Sequence, residues 1–207
     1  MGLIILDHPL ITDKLTRMRK VETNSKDFRE NLNEISQLMV YEIFRDVETI
    51  DIKIKTPVGK TVGKKIKKPV VLVPIIRAGL GMIHGIVSLL PSCKIAHIGL
   101  YRNEETLQPV KYYAKAPDDI ARCTVVVVDP MLATGGSASA AIDIVKEWGV
   151  KDIKFVCLVA VPEGVKLLAN NHPEIDVYVG ALDEKLNEKG YIVPGLGDAG
   201  DRIYGTK

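Results

Sequence analysis

The sequence predicts an α/β protein with a parallel sheet that carries helices on both faces. Strands that are apolar on both sides are typical of parallel sheets buried between helices, and the chain contains five such runs: VVLVPII, KIAHIGLY, TVVVVD, IKFVCLVAV and IDVYVGAL. Segments with the length and pattern of helices separate most of these runs. Because the chain has 207 residues, of which 46% are apolar, we expect a single domain over 1–207.

The N-terminal fifty residues predict a helical extension of this sheet. Between Asp27 and Val47, apolar side chains recur with the period of an amphipathic helix, at Phe28, Leu32, Ile35, Leu38, Met39 and Ile43. The segment 49–68 alternates briefly between apolar and polar residues and then carries two glycines and five lysines. We interpret it as two short strands around a basic turn, which form an arm on the domain.

The alternation of strands and helices begins at Val70. A glycine-rich turn and an apolar helical stretch to Leu90 follow the first run. The third run leads through PMLATGGS into a helix that ends near Gly149, and its apolar face comprises Ala138, Ala141, Ile142, Val145 and Trp148. Another helix is expected after Pro162. Ligands of such sheets bind beyond the carboxyl ends of the strands, so functional residues are expected directly after each run.

Charge and composition exclude several classes of function. The chain has 28 Lys and Arg against 26 Asp and Glu, which gives no general attraction to nucleic acids or anionic membranes. Its apolar runs are too short to span a bilayer, and its N-terminus lacks the pattern of a signal peptide. The three cysteines lie far apart, as expected of reduced thiols. We therefore expect a cytoplasmic protein with no nucleic-acid and no membrane partner.

The strongest functional signal is VVVVDPMLATGGS, which spans Val125–Ser137. A buried strand ends at Asp129, and a loop of small residues then opens a helix near Ser137. Backbone N–H groups of such a loop and the helix N-terminus together form a site for an anion such as phosphate. Thr134 and Ser137 add hydroxyl donors, and the Asp129 carboxylate is placed to accept hydrogen bonds from sugar hydroxyls. The alternative is a plain turn in which Ser137 is only the N-cap.

Arg77 and Arg102 follow two other strands, at the same expected edge of the sheet as Asp129. Two guanidinium groups at one edge suit a polyphosphate, because arginine binds phosphate with two parallel hydrogen bonds and stays charged. Ordinary surface ion pairs are the alternative. The segment Asn103–Lys115 predicts a β-hairpin arm, a mobile lid or an ordinary exposed hairpin.

A second glycine-rich segment, YIVPGLGDAGDR, covers Tyr191–Arg202. It matches the GxGxxG pattern of dinucleotide-binding proteins. Only seven residues follow Gly200, so we expect no helix and no second strand to complete that unit. The backbone amides and carbonyls of such a loop can instead pair with the polar edge of a small base.

These motifs resemble the type I phosphoribosyltransferases, and in particular the uracil phosphoribosyltransferases. The strand, Asp129, four variable residues and Thr-Gly-Gly-Ser resemble the family's signature for 5-phosphoribosyl diphosphate (PRPP). Most members have two adjacent acids there, and the Asp-Pro variant is similar to that of the uracil enzymes. PIIRAGLGM, HIGLYR and YIVPGLGDAGDR resemble further segments of those enzymes in the same order, so that the resemblance covers nearly the whole chain.

The resemblance implies the fold of this family and the transfer of the phosphoribosyl group of PRPP to N1 of uracil. The products would be UMP and diphosphate, and the step belongs to pyrimidine salvage. The resemblance also implies Mg²⁺ as cofactor, assembly into a homodimer or larger homo-oligomer, and GTP as a candidate allosteric effector.

The resemblance assigns roles to residues of both glycine-rich segments. Arg77, Arg102 and Asp198 would be catalytic and would contact PRPP, and Asp198 would serve Mg²⁺ largely through PRPP. The loop residues that would contact PRPP are Asp129, Pro130, Met131, Leu132, Ala133, Thr134, Gly135, Gly136 and Ser137. Those that would contact uracil are Ile192, Gly197, Asp198 and Ala199.

Three other functions stay open on the sequence alone. They are phosphoribosyl transfer to another base, RNA binding by a pyrimidine-operon regulator of this fold, and nucleotide binding without catalysis. The RNA reading would use the lysine cluster, which comprises Lys60, Lys64, Lys65, Lys67 and Lys68. The near-neutral charge argues against it, and we expect a solvated turn. The presence of Asp129, Thr134 and Asp198 argues against the inactive protein.

Overall fold

The computed structural model describes residues 2–102 and 109–206, and of Arg102 only the backbone. The strands are β1 (Leu3–Ile5), β2 (Thr49–Lys55), β3 (Lys60–Ile66), β4 (Val70–Ile76), β5 (Lys94–Ile95), β6 (His97–Arg102), β7 (Pro109–Lys115), β8 (Thr124–Val128), β9 (Met131–Leu132), β10 (Asp152–Ala160), β11 (Asp176–Leu182), β12 (Lys185–Leu186) and β13 (Ile192–Val193). The helices are α1 (Pro9–Arg19), α2 (Ser25–Ile43), α3 (Leu80–Leu89), α4 (Gly136–Glu147), α5 (Pro162–Asn171) and α6 (Ala199–Tyr204), with a 3₁₀ turn at Ile120–Arg122.

A nine-stranded sheet forms the centre, with the strand order β1-β11-β10-β8-β4-β6-β7, and β5 and β9 pair with β4 and β10. The strands pair in parallel except for β6 and β7, which are antiparallel. The antiparallel pair confirms a hairpin for the described part of the segment Asn103–Lys115. The prediction for residues 103–108 lies outside the described residues.

Helices cover both faces of the sheet, as the all-apolar runs predict. Side chains alternate between the two faces along each strand. Leu72 and Val126 face a core shared with α1, α2, α3 and α6. Val73 and Val127 face a second core shared with α4 and α5. The predicted α/β class with a mainly parallel sheet is therefore confirmed, and the carboxyl ends of β4, β6 and β8 meet at one edge.

The prediction that the N-terminal fifty residues are helical is wrong for the first few of them. Leu3–Ile5 forms β1, which extends the sheet by pairing in parallel with β11, so that Leu3 lies opposite Val177. Three residues are too few to show a period, and their partner strand lies at the other end of the chain. The amphipathic pattern of Phe28 to Ile43 is confirmed as α2, which starts at Ser25 behind the N-cap Asn24.

The predicted arm is confirmed as a separate antiparallel pair, β2 and β3. Its turn, however, comprises residues 56–59 and contains no lysine, so the prediction of a lysine-rich turn is wrong. Lys60, Lys64 and Lys65 lie on β3 itself, where their long side chains alternate along an exposed strand.

Candidate active site

A cavity of about 270 Å³ lies where β8 and β13 end and α4 and α6 begin. Two segments form most of its wall: the anion loop, residues 129–137, and the glycine loop, residues 192–199. The lining residues of the anion loop are Asp129, Met131, Leu132, Ala133, Thr134, Gly135 and Ser137. Those of the glycine loop are Ile192, Gly197, Asp198 and Ala199. The structure thus brings together the two groups of residues that the sequence predicts.

The anion loop leads into α4 through a left-handed glycine. Gly135 has φ +85° and is the N-cap of α4, and no side chain caps this helix end. The first amides of α4 therefore have no side-chain acceptor of the usual kind and suit an anion in the cavity. Ser137 lies inside the first turn and lines the cavity, so the alternative in which it is the N-cap is wrong.

Two predicted residues of the anion loop do not line the cavity, Pro130 and Gly136. Pro130 is buried, and its carbonyl oxygen accepts hydrogen bonds from the N–H groups of Leu158, at 3.0 Å, and Val159, at 3.1 Å. Pro130 therefore fixes the loop to β10 rather than offering a group to the cavity.

Asp129 is partly buried at the end of β8. Its Oδ1 accepts a hydrogen bond of 3.2 Å from the N–H of Met131. Burial, together with a smaller effect of the negative charge of Asp198, raises the pKa of Asp129 to about 7. The two carboxylates therefore face a common region, which is electrostatically suited to a cation or to hydroxyl donors.

The glycine loop joins β13 to α6 through two glycines in the left-handed region, Gly195 with φ +61° and Gly197 with φ +78°. Asp198 is the N-cap of α6, and its Oδ1 accepts a 2.9 Å hydrogen bond from the N–H of Asp201. We expected no helix and no second strand to complete a dinucleotide-binding unit after Gly200, but a six-residue helix, α6, begins at Ala199 behind its N-cap Asp198 and runs to Tyr204. Within the described residues no strand follows α6, so the dinucleotide-binding unit is not formed.

Arg77 follows β4 directly and has an exposed side chain, at 57% of its free area. Its Nη2 lies 3.5 Å from Oδ1 of Asp201, and its carbonyl oxygen accepts a 3.1 Å hydrogen bond from the hydroxyl of Tyr204. The neighbouring Ala78 lines the cavity, whereas Arg77 does not. The guanidinium is thus beside the cavity, and α6 contacts it.

Arg102 lies at the end of β6, on the sheet edge where Arg77 and Asp129 also lie. The structure describes its backbone alone, so its predicted contact with PRPP stays a prediction. Five further residues line the cavity that the sequence analysis did not assign to the site: Ala78, Ala138, Gly190, Tyr191 and Gly200. All five lie within or directly beside motifs that the sequence analysis quoted, and their position in the sequence was the available signal.

Within the described part of the chain, no three His, Cys, Asp or Glu residues form a group that could hold a metal ion. No helix of residues 2–102 and 109–206 has the length and apolar character needed to cross a bilayer.

Solved structures share the fold of this chain. A hypoxanthine-guanine phosphoribosyltransferase from Bacillus anthracis shares this fold with a TM-score of 0.54, over 77% of this chain and 80% of that one, at 17% identity. The AQ2163 protein from Aquifex aeolicus matches with a TM-score of 0.94 over 99% of both chains, at 37% identity.

The chain belongs to the uracil phosphoribosyltransferase family, whose model matches residues 5–206. The uracil phosphoribosyltransferase of Mycoplasma capricolum subsp. capricolum is 67% identical over 98% of each chain. That of Pediococcus pentosaceus is 60% identical, again over 98% of each chain. The predicted membership in the uracil phosphoribosyltransferase family is thereby confirmed. The protein is an enzyme that transfers a phosphoribosyl group.

Proposed function

We propose that this enzyme transfers the phosphoribosyl group of PRPP to N1 of uracil and releases UMP and diphosphate. The names of the relatives indicate this activity. The observation that carries it here is that an uncapped helix N-terminus and a glycine-rich loop line one cavity. The first suits a phosphate and the second suits the edge of a small base.

The anion loop is assigned to the phosphoribosyl half of the substrate. The amides of residues 133–137 and the hydroxyls of Thr134 and Ser137 would hold the 5′-phosphate. The ionised carboxylate of Asp129 would accept hydrogen bonds from the ribose hydroxyls. Because the pKa of Asp129 is about 7, donors from the ribose would also help to keep the carboxylate ionised near neutral pH.

The glycine loop is assigned to uracil. Uracil presents two carbonyl acceptors and one N–H donor, and main-chain groups of Ile192, Gly197 and Ala199 would pair with them. Ile192 and Ala199 are buried, and side-chain hydrogen bonds to Gly195 and to the carbonyl of Leu196 hold the loop between them, while Gly197 is exposed at the cavity. A fixed backbone discriminates bases because each mismatched polar group stays unpaired.

No nucleophilic side chain is required for this reaction. C1 of the ribose loses diphosphate through an oxocarbenium-like state, and N1 of uracil attacks the same carbon. Catalysis then depends on positioning the two reactants and on stabilising the charge of the leaving diphosphate. Arg77, which lies beside the cavity, and Arg102 are the residues assigned to this charge, and Asp198, which lines the cavity, is assigned to PRPP and the Mg²⁺ that would neutralise its diphosphate.

The residues of the cavity fit a magnesium complex of PRPP. Mg²⁺ is commonly bound by one or two carboxylates together with phosphate oxygens. Asp129 and Asp198 both line the cavity and supply two carboxylates, and burial together with the charge of Asp198 raises the pKa of Asp129. Asp198, which uses Oδ1 for its cap, is assigned to the ion largely through PRPP. When bound, the ion neutralises negative charge on the diphosphate.

Formation of the corresponding mononucleotide and diphosphate from PRPP and a panel of bases tests the proposal. Uracil is expected to react, whereas hypoxanthine and orotate are expected not to. Turnover of hypoxanthine or orotate in place of uracil would assign the protein to another base, and turnover of none of them would leave a nucleotide-binding protein.

The RNA-binding alternative is weakened by the surroundings of the lysine cluster. Three of its members form ion pairs: Lys64 with Asp51 at 2.5 Å, Lys67 with Glu48 at 2.8 Å and Lys68 with Asp152 at 2.8 Å. Such neighbours reduce the attraction to phosphates. A salt-dependent gel shift on pyrimidine-operon RNA is expected to show no specific complex.

We assign a homodimer or larger homo-oligomer to this protein because the β2–β3 arm exposes an apolar face. The register places Ile50, Ile52 and Ile54 on one side, and Ile50 and Ile54 remain about 40% exposed. An isolated two-stranded sheet is marginally stable, so a second copy would cover this face. Light scattering should give at least twice the chain mass of 22.7 kDa.

The effect of GTP and the cytoplasmic location stay predictions. The first is checked by measuring UMP formation with and without GTP, and the second by fractionating cells that contain the protein. A rate that does not respond to GTP would remove the allosteric effector and leave the assignment of the substrates intact.

A further inference from the structure

Arg202 connects the glycine loop to a distant part of the chain. Its Nη1 donates to the carbonyl oxygens of Leu196, at 2.9 Å, and Met18, at 2.5 Å. Its Nη2 donates to the carbonyl oxygens of Lys20, at 2.7 Å, and Thr23, at 3.3 Å. One guanidinium thus binds four main-chain oxygens, of which one belongs to the glycine loop and three to the region where α1 passes into α2.

The plane of this guanidinium is fixed as well. It lies over the ring of Phe28 with 4.6 Å between Cζ and the ring centroid, and Phe28 is fully buried in α2. Burial lowers the pKa of Arg202 from its usual value. Stacking and a planar fork of donors are properties of arginine that lysine does not share.

The bond to Leu196 determines where the next amide points. The peptide between Leu196 and Gly197 is trans, and in a trans peptide the C=O and N–H groups point in opposite directions. Since the carbonyl of Leu196 is turned toward Arg202, the N–H of Gly197 is turned to the other side. Gly197 lines the cavity, and its missing Cβ would lie 3.6 Å from Cδ of Arg202, so the arginine stem supports the residue from behind.

Gly195, which precedes Leu196 in the glycine loop, is held by a second arginine, Arg19. Arg19 binds both carboxylate oxygens of Asp183 at 2.7 Å and donates to the carbonyl of Gly195 at 2.7 Å. Asp183 in turn accepts from the N–H of Gly195 at 2.8 Å. The peptides on both sides of Gly195 are therefore fixed by side chains from outside the loop.

We propose that Arg202 is a positioning residue for recognition of the base, because it fixes the Leu196–Gly197 peptide so that the Gly197 N–H faces the pyrimidine. Arg19 acts on the same loop through Gly195. The inference rests on the proposed function, since it requires that uracil bind at the glycine loop. It places the selectivity for uracil in side chains that do not touch the substrate.

Arg202→Lys tests this role, because lysine keeps the charge but cannot bind four oxygens in one plane. The KM for uracil is expected to rise about 10-fold or more, the effect of one misplaced buried hydrogen bond. The KM for PRPP is expected to stay within about 2-fold, because the anion loop is untouched. CMP formation from cytosine, which is not expected to be measurable for the unmodified enzyme, should become detectable.

Arg29→Lys is the matched control. Arg29 also binds a main-chain oxygen of α6, that of Ile203 at 2.8 Å, but this contact lies at the far end of the helix. Arg29→Lys is expected to lower the melting temperature without changing the KM for uracil.

The inference is overturned if Arg202→Lys keeps the uracil KM of the unmodified enzyme, or if both variants change the two KM values alike. If Arg202→Lys does not fold, the same constants are measured on Arg19→Lys, where a rise confined to uracil supports the inference and an equal change refutes it. An unmodified enzyme that makes no UMP would refute the proposed function itself, which is a separate result.

Discussion

The two loops that line the cavity are held in place in different ways. The anion loop is fixed by bonds within itself and to the adjacent strand, such as the N–H of Met131 to Asp129 and the N–H of Leu158 to Pro130. The glycine loop is held by Arg19, whose contact with Gly195 spans 176 residues of sequence. The proposed phosphate site is thus built from backbone bonds within the loop and to the next strand, whereas the proposed base site depends on contacts between distant parts of the chain.

Gly135→Val would break the anion loop and has the largest expected effect. A side chain at φ +85° is strained, and its Cβ would lie 3.0 Å from the carbonyl oxygen of Gly164. The loop must shift, so PRPP affinity measured by calorimetry should fall at least about 100-fold.

Gly149→Val is the matched control for that strain. Gly149 has φ +80°, ends α4 away from the cavity, and would place its Cβ 3.5 Å from that of Ala121. This variant should have a lower melting temperature than the unmodified protein and the same affinity for PRPP. Unchanged PRPP affinity in a folded Gly135→Val protein would refute the assignment of the anion loop.

Asp198→Asn addresses the charge of the glycine loop. Asparagine caps helices as well as aspartate does, so α6 should keep its start and the melting temperature should change little. The rate should fall by about 100-fold, the scale for loss of one electrostatic partner, while UMP still binds. If Asp198 were only a cap, stability and UMP affinity would drop instead and kcat per folded enzyme would stay normal.

Much of this site could be predicted because its signals are local. VVVVDPMLATGGS places an acid, a flexible turn and a helix start within thirteen consecutive residues, and seven of the nine predicted residues of the anion loop line the cavity. The runs of apolar residues likewise predict β4, β6, β8, β10 and β11, because burial on both faces requires a specific composition.

The remaining features depend on contacts between distant parts of the chain. The pairing of β1 with β11 and the binding of Leu196 by Arg202 have no periodic or spacing signal in the sequence. Arg202 looks in sequence like any charged residue near the end of the chain. The pairing of Arg77 with Asp201 is of the same kind, since an arginine after a strand does not reveal which acid the fold will bring beside it.

Asp129→Asn leaves the geometry of the anion loop intact, and its effect on stability depends on pH. Because the folded pKa of Asp129 is raised from 3.8 to about 7, the folded state holds a proton that the unfolded state releases, and stability falls as pH rises through that window. The asparagine variant avoids this loss. Its melting temperature should exceed that of the unmodified protein by about 10 °C at pH 8 and match it near pH 4. Equal melting temperatures at pH 8 would show that the carboxylate is not destabilised by burial.

Turnover of cytosine beside uracil tests most directly the claim that fixed main-chain groups of the glycine loop recognise the base. In cytosine, N3 accepts where uracil donates, and the 4-amino group donates where uracil accepts. Each mismatch leaves a buried polar group unpaired at a cost of about 1–3 kcal/mol, so two of them should exclude cytosine at ordinary concentrations. The account predicts UMP from uracil and no measurable CMP from cytosine. Cytosine turnover within about tenfold of uracil turnover, which corresponds to about 1.4 kcal/mol, would contradict it.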